Sequence, residues 1–255
     1  MLFNEIAYGP IQSRRLGVSL GMEIMPLTHK LCTFDCVYCE CGWNQPISHP
    51  TLPTREEVRS ALETKLALMQ KEKAPLDVIT FSGNGEPTLH PQFLGIIQDT
   101  CMLRKQYYPN AKVSVLSNST QLGRADVMKA LRLCDNRILK LDSGTDQMMK
   151  RIDLPVNKDL SIATIVRWLE EWQGDFTLQT CFLRGKHNGQ IIDNTTTEEL
   201  EAWYSIVKHL RPKQIMIYVI DRKTPVDTLE KISREKMDEI AAPLIAEGFN
   251  VIISA

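Results

Sequence analysis

Asp77–Pro87 reads D-V-I-T-F-S-G-N-G-E-P. Its first five residues form an apolar, β-branched run about as long as a buried parallel strand. The next six are polar and glycine-rich and close on proline, which is turn composition. The same succession recurs along the chain. Apolar runs stand at Lys112–Leu116, Arg137–Leu141, Phe176–Phe182 and Gln214–Ile220, with an earlier one near Val18–Met25 and a short last one at Asn250–Ser254.

Amphipathic segments separate these runs. Thr54–Met69 opens with Thr54 and Glu57 in capping-box spacing and repeats Val58, Leu62, Leu66 and Met69 on one helical face. Thr196 and Glu199 give the same start signal ahead of Leu200, Trp203, Val207 and Leu210. Ser233 caps a last helix through Met237, Ile240 and Leu244, with Gly248 as its stop and Pro243 expected to kink or shorten it. Segments 91–107, 124–133 and 161–172 complete the alternation. Strands alternating with helices predict right-handed βαβ units and a parallel sheet. About six such units predict an α/β partial (β/α)6 TIM-like barrel. No G-x-G-x-x-G follows a predicted strand, which argues against a dinucleotide-binding fold. The expected organisation is one domain over 1–255, with 1–26 as an N-terminal segment that includes the first strand.

Composition narrows the function. The chain has 255 residues, 43% of them apolar, and 30 Lys+Arg against 31 Asp+Glu, a formal charge of −1. That balance gives no global electrostatic argument for nucleic acid. Neither a signal-peptide stretch nor an apolar run of bilayer length is present, so a cytoplasmic protein is expected. In α/β sheets of this kind chemistry collects at the carboxyl ends of the strands. The tails there are Ser82–Pro87, Ser117-Asn118-Ser119, Asp142-Ser143-Gly144, Arg184-Gly185 and Asp221-Arg222, all with polar residues or glycine.

Seven cysteines, an odd number in a reducing compartment, argue against a disulfide framework. Four fall close together: Cys32, Cys36, Cys39 and Cys41. Leu31–Cys39 reads L-C-T-F-D-C-V-Y-C, with three thiols on one short loop after the first strand. Three thiolates there suit one face of a cuboidal iron–sulfur cluster with one iron left open. Zinc is the alternative, with Cys41 as fourth ligand, but no second C-x-x-C knuckle exists. Cys41, Cys101, Cys134 and Cys181 read as core or loop residues.

The C-x-x-x-C-x-x-C spacing, with the aromatic Tyr38 before its last cysteine, resembles the signature of the radical S-adenosylmethionine (SAM) superfamily. Gly83-Asn84-Gly85-Glu86-Pro87 resembles that family's G-G-E-P motif, with Asn84 as an extra or replaced position. Gly9-Pro10 and Ser13-Arg14-Arg15-Leu16-Gly17 resemble a subgroup of bacterial Fe–S oxidoreductases grouped with the wyosine-type tRNA-modifying enzymes. The similarity of motif order runs from about residue 9 to 222. It implies that Cys32, Cys36 and Cys39 hold a [4Fe–4S] cluster whose open iron chelates SAM. It further implies that one electron, from a donor such as flavodoxin or ferredoxin, cleaves SAM to a radical that abstracts hydrogen from a substrate. Glu86 with Gly83, Asn84 and Gly85 then receives the SAM ammonium, and Ser117, Asn118 and Asp142 bind ribose hydroxyls or the methionine carboxylate. Tyr38 and the stretch Tyr218–Ile220 are placed against adenine.

The chain departs from its relatives in having no cysteine before Cys32, so the second cluster of the wyosine-type enzymes cannot be built in the same way. The implied enzyme has one cluster. Its implied substrate is a small nucleoside-like or anionic molecule or a modified RNA base, with Arg14, Arg15, Lys140, Arg184 and Arg222 as candidate anion ligands. The polar stretch from Lys186 to Asn194 is expected as a loop that either closes over substrate or simply connects. The reading from another class is a metal-stabilised binding or regulatory module without turnover.

Overall fold

The computed structural model describes residues 2–13 and 16–255, so the expectations for Arg14 and Arg15 lie outside the described residues. Its contacts gather into two compact units. The first comprises Met1–Cys32, Asn44–Ser117 and Gln121–Arg137, and the second Thr33–Trp43, Asn118–Thr120 and Ile138–Ala255.

The first unit opens with an antiparallel pair, β1 (Ala7–Ser13) and β2 (Gly17–Met22). Helix α1 (Arg55–Lys71) follows, then β3 (Val78–Phe81), α2 (Phe93–Tyr107), β4 (Lys112–Ser117) and α3 (Ala125–Leu133). Strand β3 pairs parallel with β2 on one side and with β4 on the other. Helix α1 forms where the capping box predicts, with Thr54 accepting from the Glu57 amide and Glu57 reaching back to the Thr54 amide. Val58, Leu62, Leu66 and Met69 are its buried face. Burying four such side chains contributes roughly 2 kcal/mol each, against about 1 kcal/mol for the cap, so packing decides that the helix is stable. Leu20, Ile79, Phe81, Val113 and Val115 supply the strand side of this unit's core.

The strand β5 (Asn136–Lys140) leads into the second unit, which continues with α4 (Asp146–Ile152), α5 (Ile162–Glu170), β6 (Thr177–His187), β7 (Gln190–Asp193), α6 (Thr197–Leu210), β8 (Gln214–Val219), β9 (Glu230–Lys231), α7 (Arg234–Ala246) and β10 (Val251–Ser254). Here β6 pairs parallel with β5 and β8, and β10 pairs parallel with β8. Leu139, Leu178, Phe182, Ile215 and Ile217 form the strand side of the core under Trp203, whose indole donates to Thr180 Oγ1 (3.1 Å).

Four local expectations change. Pro243 does not shorten α7 at its own position; the helix runs on to Ala246. β1 and α4 were not expected from the apolar pattern. The Arg184-Gly185 tail does not end β6, which runs on to His187 and turns through Asn188-Gly189 into β7. Both turn residues have positive φ, 47° and 77°, the conformation an Asn-Gly hairpin turn provides. The stretch from Lys186 to Asp193 is therefore hairpin, not loop. Among the described residues no helix is long and apolar enough to cross a membrane.

Candidate active site

In the first unit the site is built from the tail of β3. The Gly83-Asn84-Gly85-Glu86 stretch is fixed from the backbone outward. Gly85 has φ 151°, and a Cβ there would lie 1.7 Å from the Leu31 carbonyl oxygen, so only glycine fits. That closeness lets the Leu31 amide donate to the Asn84 carbonyl (2.9 Å) and the Glu86 amide donate to the Leu31 carbonyl (3.1 Å). The next residue is Cys32. Its amide donates to Asn44 Oδ1 (2.9 Å) and its carbonyl accepts from Asn44 Nδ2 (3.1 Å), so both of its peptide groups are pinned.

Asn84 is fully buried, and its side chain faces the N-terminal segment. It accepts from the Phe3 amide (2.8 Å) and donates to the carbonyls of Phe3 (2.7 Å) and Pro26 (3.0 Å). Glu86 is buried as well, with Oε1 accepting from the Thr88 amide (3.1 Å), the Thr88 hydroxyl and Ser117 Oγ (2.9 Å). Two of the expected cofactor residues, Glu86 and Ser117, are thus brought together across the ends of β3 and β4.

Sequence reasoning passed over Glu23. One oxygen accepts from the Asn84 amide and the other from the Met25 amide (2.7 Å). A Cβ on residue 83 would collide with this carboxylate, which explains Gly83. Burial pushes the Glu23 carboxyl up to about 7, although the backbone amides of Asn84, Met25 and Ile24 pull the other way. Glu23 is itself a strand-end residue, one past β2. Its apolar neighbours Met22, Ile24 and Met25 hide it in the pattern.

In the second unit the cysteine loop meets the tail of β5 and the end of α4. The Val37 amide donates to the Ile152 carbonyl and the Asp35 amide to the Asp153 carbonyl, each at 2.9 Å. The Cys36 thiol donates to Asp153 Oδ1 (3.3 Å). Burial, with Asp142 nearby, holds the Asp153 carboxyl well above the carboxylate range. Asn118 does not project alone: it donates to Thr33 Oγ1 (2.8 Å) and accepts from the Thr120 amide and hydroxyl, which ties the first residue of this part of the loop.

Lys140, Asp142 and Tyr38 are wired to one another. Tyr38 donates its hydroxyl to Asp142 Oδ2, and Lys140 Nζ donates to the hydroxyls of Tyr38 and Tyr218, the latter at 3.1 Å. The other Asp142 oxygen accepts from the Cys181 amide (2.8 Å). Burial works against the Lys140 charge, but Asp142, Tyr218, Cys36 and Cys181 together outweigh it and hold the amine well above its ordinary value. Burial pushes up the Tyr38 and Tyr218 phenols and the Cys181 thiol. This is one cation and one carboxylate bridging two phenols, so it holds charge in a buried place without an orphan. Arg184 and Arg222, expected as anion ligands, stand instead in exposed ion pairs with Glu230 (2.9 Å) and Glu40 (2.7 Å).

All seven cysteines are free thiols. Among the described residues no three His, Cys, Asp or Glu side chains converge closely enough for a single ion. The donor chemistry of Cys32, Cys36 and Cys39, three soft thiols on one loop, fits an iron–sulfur cluster.

Residues 27–174, more than half of the chain, match the radical SAM superfamily. The chain belongs to that superfamily. A UPF0026 protein of Helicobacter pylori (strain ATCC 700392 / 26695) is 29% identical over 252 residues, covering 96% of this chain and 75% of that protein. The fold is similar to that of a radical SAM methyltransferase from Sphaerobacter thermophilus (TM-score 0.62, 13% identity, 92% of this chain and 66% of that one). It is also similar to TYW1 with a lysine–pyruvate adduct bound (TM-score 0.61, 13% identity, 91% of this chain and 74% of that one). The expected α/β partial-barrel fold class is that of these radical SAM structures. The chain is accordingly a radical SAM enzyme, and the superfamily's cofactors are a [4Fe–4S] cluster and SAM.

Proposed function

We propose that Cys32, Cys36 and Cys39 are the three protein ligands of the [4Fe–4S] cluster, and that the Gly83–Glu86 loop receives the SAM ammonium. The observation that carries this reading is local. Leu31, the residue before the first cysteine, is hydrogen-bonded in both directions to the Gly-Asn-Gly-Glu loop. The two motifs form one piece of backbone, so a ligand held by one is positioned by the other. When bound, the cluster and SAM supply the electron transfer and bond cleavage that start hydrogen abstraction from a substrate. The protein's own part is to fix Cys32 through Asn44, Cys36 through Asp153 and Tyr38 through Asp142 and Lys140.

The substrate is a small nucleoside-like or anionic molecule or a modified RNA base, and the compartment is the reducing cytoplasm that seven free thiols suit. With Arg184 and Arg222 in surface ion pairs, the half-buried Lys140, paired with Asp142, is the cation at these strand ends that an anionic group would meet. Anaerobic reconstitution tests the reading. The protein should take up about four irons, show a cluster spectrum perturbed by SAM, and release 5′-deoxyadenosine; Cys36→Ala should lose all three. Purification with zinc, no iron uptake and no SAM cleavage would overturn it. In Glu86→Ala the cluster should survive while SAM affinity falls, and unchanged affinity would remove Glu86 from the site.

A further inference from the structure

We infer that the face of the second unit made by α4, the segment 154–158 after it and the β6–β7 hairpin is the docking surface of an acidic protein that donates single electrons. The inference rests on the cluster assignment above and adds the partner's seat.

Charge is the first observation. Lys150, Arg151, Lys158 and Lys186 make no ion pair among the described residues. By contrast, Arg222 and Lys231 elsewhere in the same unit, and Arg184 at the base of the hairpin, each have a carboxylate partner. Unpaired like charges on one face repel one another and favour an anionic partner. Between α4 and the hairpin lies a groove of about 400 Å³ lined by Lys150, Arg151, His187 and the amides Gln147, Asn188 and Gln190, with no carboxylate in its wall.

Apolar exposure is the second. Ile191 is 68% exposed, Val156 61% and Trp43 37%. Each is tied to this face. The Ile191 carbonyl accepts from Arg151 Nη1 (3.2 Å), the Val156 amide donates to the Thr33 carbonyl (2.9 Å), and Trp43 stacks on His187 with ring centroids 5.7 Å apart. Apolar side chains within a basic surround are the composition of a protein interface.

The third observation selects the partner. Arg151 is followed by Ile152 and Asp153, whose carbonyls accept from the Val37 and Asp35 amides, and whose carboxylate takes the Cys36 thiol. The basic face is therefore one residue along the chain from the hydrogen bonds that hold the cysteine loop. A donor seated there delivers its electron to the loop by a short bonded route; the donor loses one electron, the cluster gains one, and no atom is transferred. An RNA would also match the charge, but continuity with the cysteine loop favours the electron carrier.

The test uses reconstituted protein and a strongly acidic bacterial flavodoxin as probe. Lys150→Glu with Lys186→Glu, two side chains that make no hydrogen bond among the described residues, should weaken flavodoxin binding about tenfold or more and lower flavodoxin-driven SAM cleavage to match. The wild-type affinity should fall as salt rises. Cleavage driven by dithionite, and the spectral response to SAM, should stay unchanged. If dithionite drives no cleavage in the wild-type protein, the cluster reading fails. If dithionite works while the double variant binds flavodoxin as tightly as wild type, the docking inference alone is overturned. Loss of bulk tRNA binding with flavodoxin affinity intact would likewise overturn it and assign the face to nucleic acid.

Discussion

In the first unit the Gly83–Glu86 loop is held by peptide groups: Leu31 across Gly85, two amides on Glu23, and the Phe3 and Pro26 backbones on Asn84. In the second unit Tyr38, within the cysteine loop, is held by a charged side-chain network through Lys140 and Asp142. The difference teaches where each region is vulnerable. A loop held through its backbone breaks when a side chain is added where none fits. A loop held through charge breaks when one member of the network is removed.

The harshest test of that contrast is Gly85→Ala. The new Cβ meets a backbone carbonyl at 1.7 Å in a conformation alanine rarely adopts, so about 5 kcal/mol should be lost in urea unfolding of the apoprotein. A loss below about 1 kcal/mol would show that Leu31 yields, and that the backbone clamp is soft. Lys140→Met comes next. Asp142 is left buried without its cation, and about 4 kcal/mol should go. The double variant Lys140→Met, Asp142→Asn should recover much of this, because the orphaned charge is gone; additive losses would refute the network.

Glu23→Gln has a smaller, pH-dependent effect. The folded protein holds this carboxyl at about 7, above its unfolded value of 4.5, so its stabilising contribution is present below 4.5 and fades as pH rises to about 7. Wild-type stability should carry a downward component of about 3 kcal/mol across that window, and the variant should lack it. Parallel curves for the two proteins would place the Glu23 titration elsewhere. Thr54→Ala, at a cap outside both clamps, sets the baseline at about 1 kcal/mol by the same unfolding measurement and should leave SAM binding unchanged.

Much of the fold was legible because period and punctuation agree. The strand at Lys112, the helix capped by Thr54 and the helix capped by Thr196 lie where apolar spacing and caps put them. β1 was hidden because Ala7–Ser13 is neither continuously apolar nor strictly alternating and contains Gly9-Pro10. α4 is seven residues long, too short for periodicity to rise above its neighbours. At the candidate site, the strand-end rule picked out Glu86, Ser117, Asn118 and Asp142 from residue type and position alone. What it could not give is what each side chain touches. Asn84 faces an N-terminal peptide, Lys140 joins two phenols, and Arg222 meets Glu40; partners far apart in sequence leave no local pattern.

The Asn84 bracket has a consequence for the segment around Phe3. Its amide recognises the peptide groups of residue 3 and residue 26, not their side chains, while the Phe3 ring is held separately by stacking on Tyr8. A chain without the Phe3 peptide would have a fully buried amide with two lost hydrogen bonds, directly beside Gly85 and Glu86. Loss of the Phe3 peptide would then be felt at a loop more than eighty positions away.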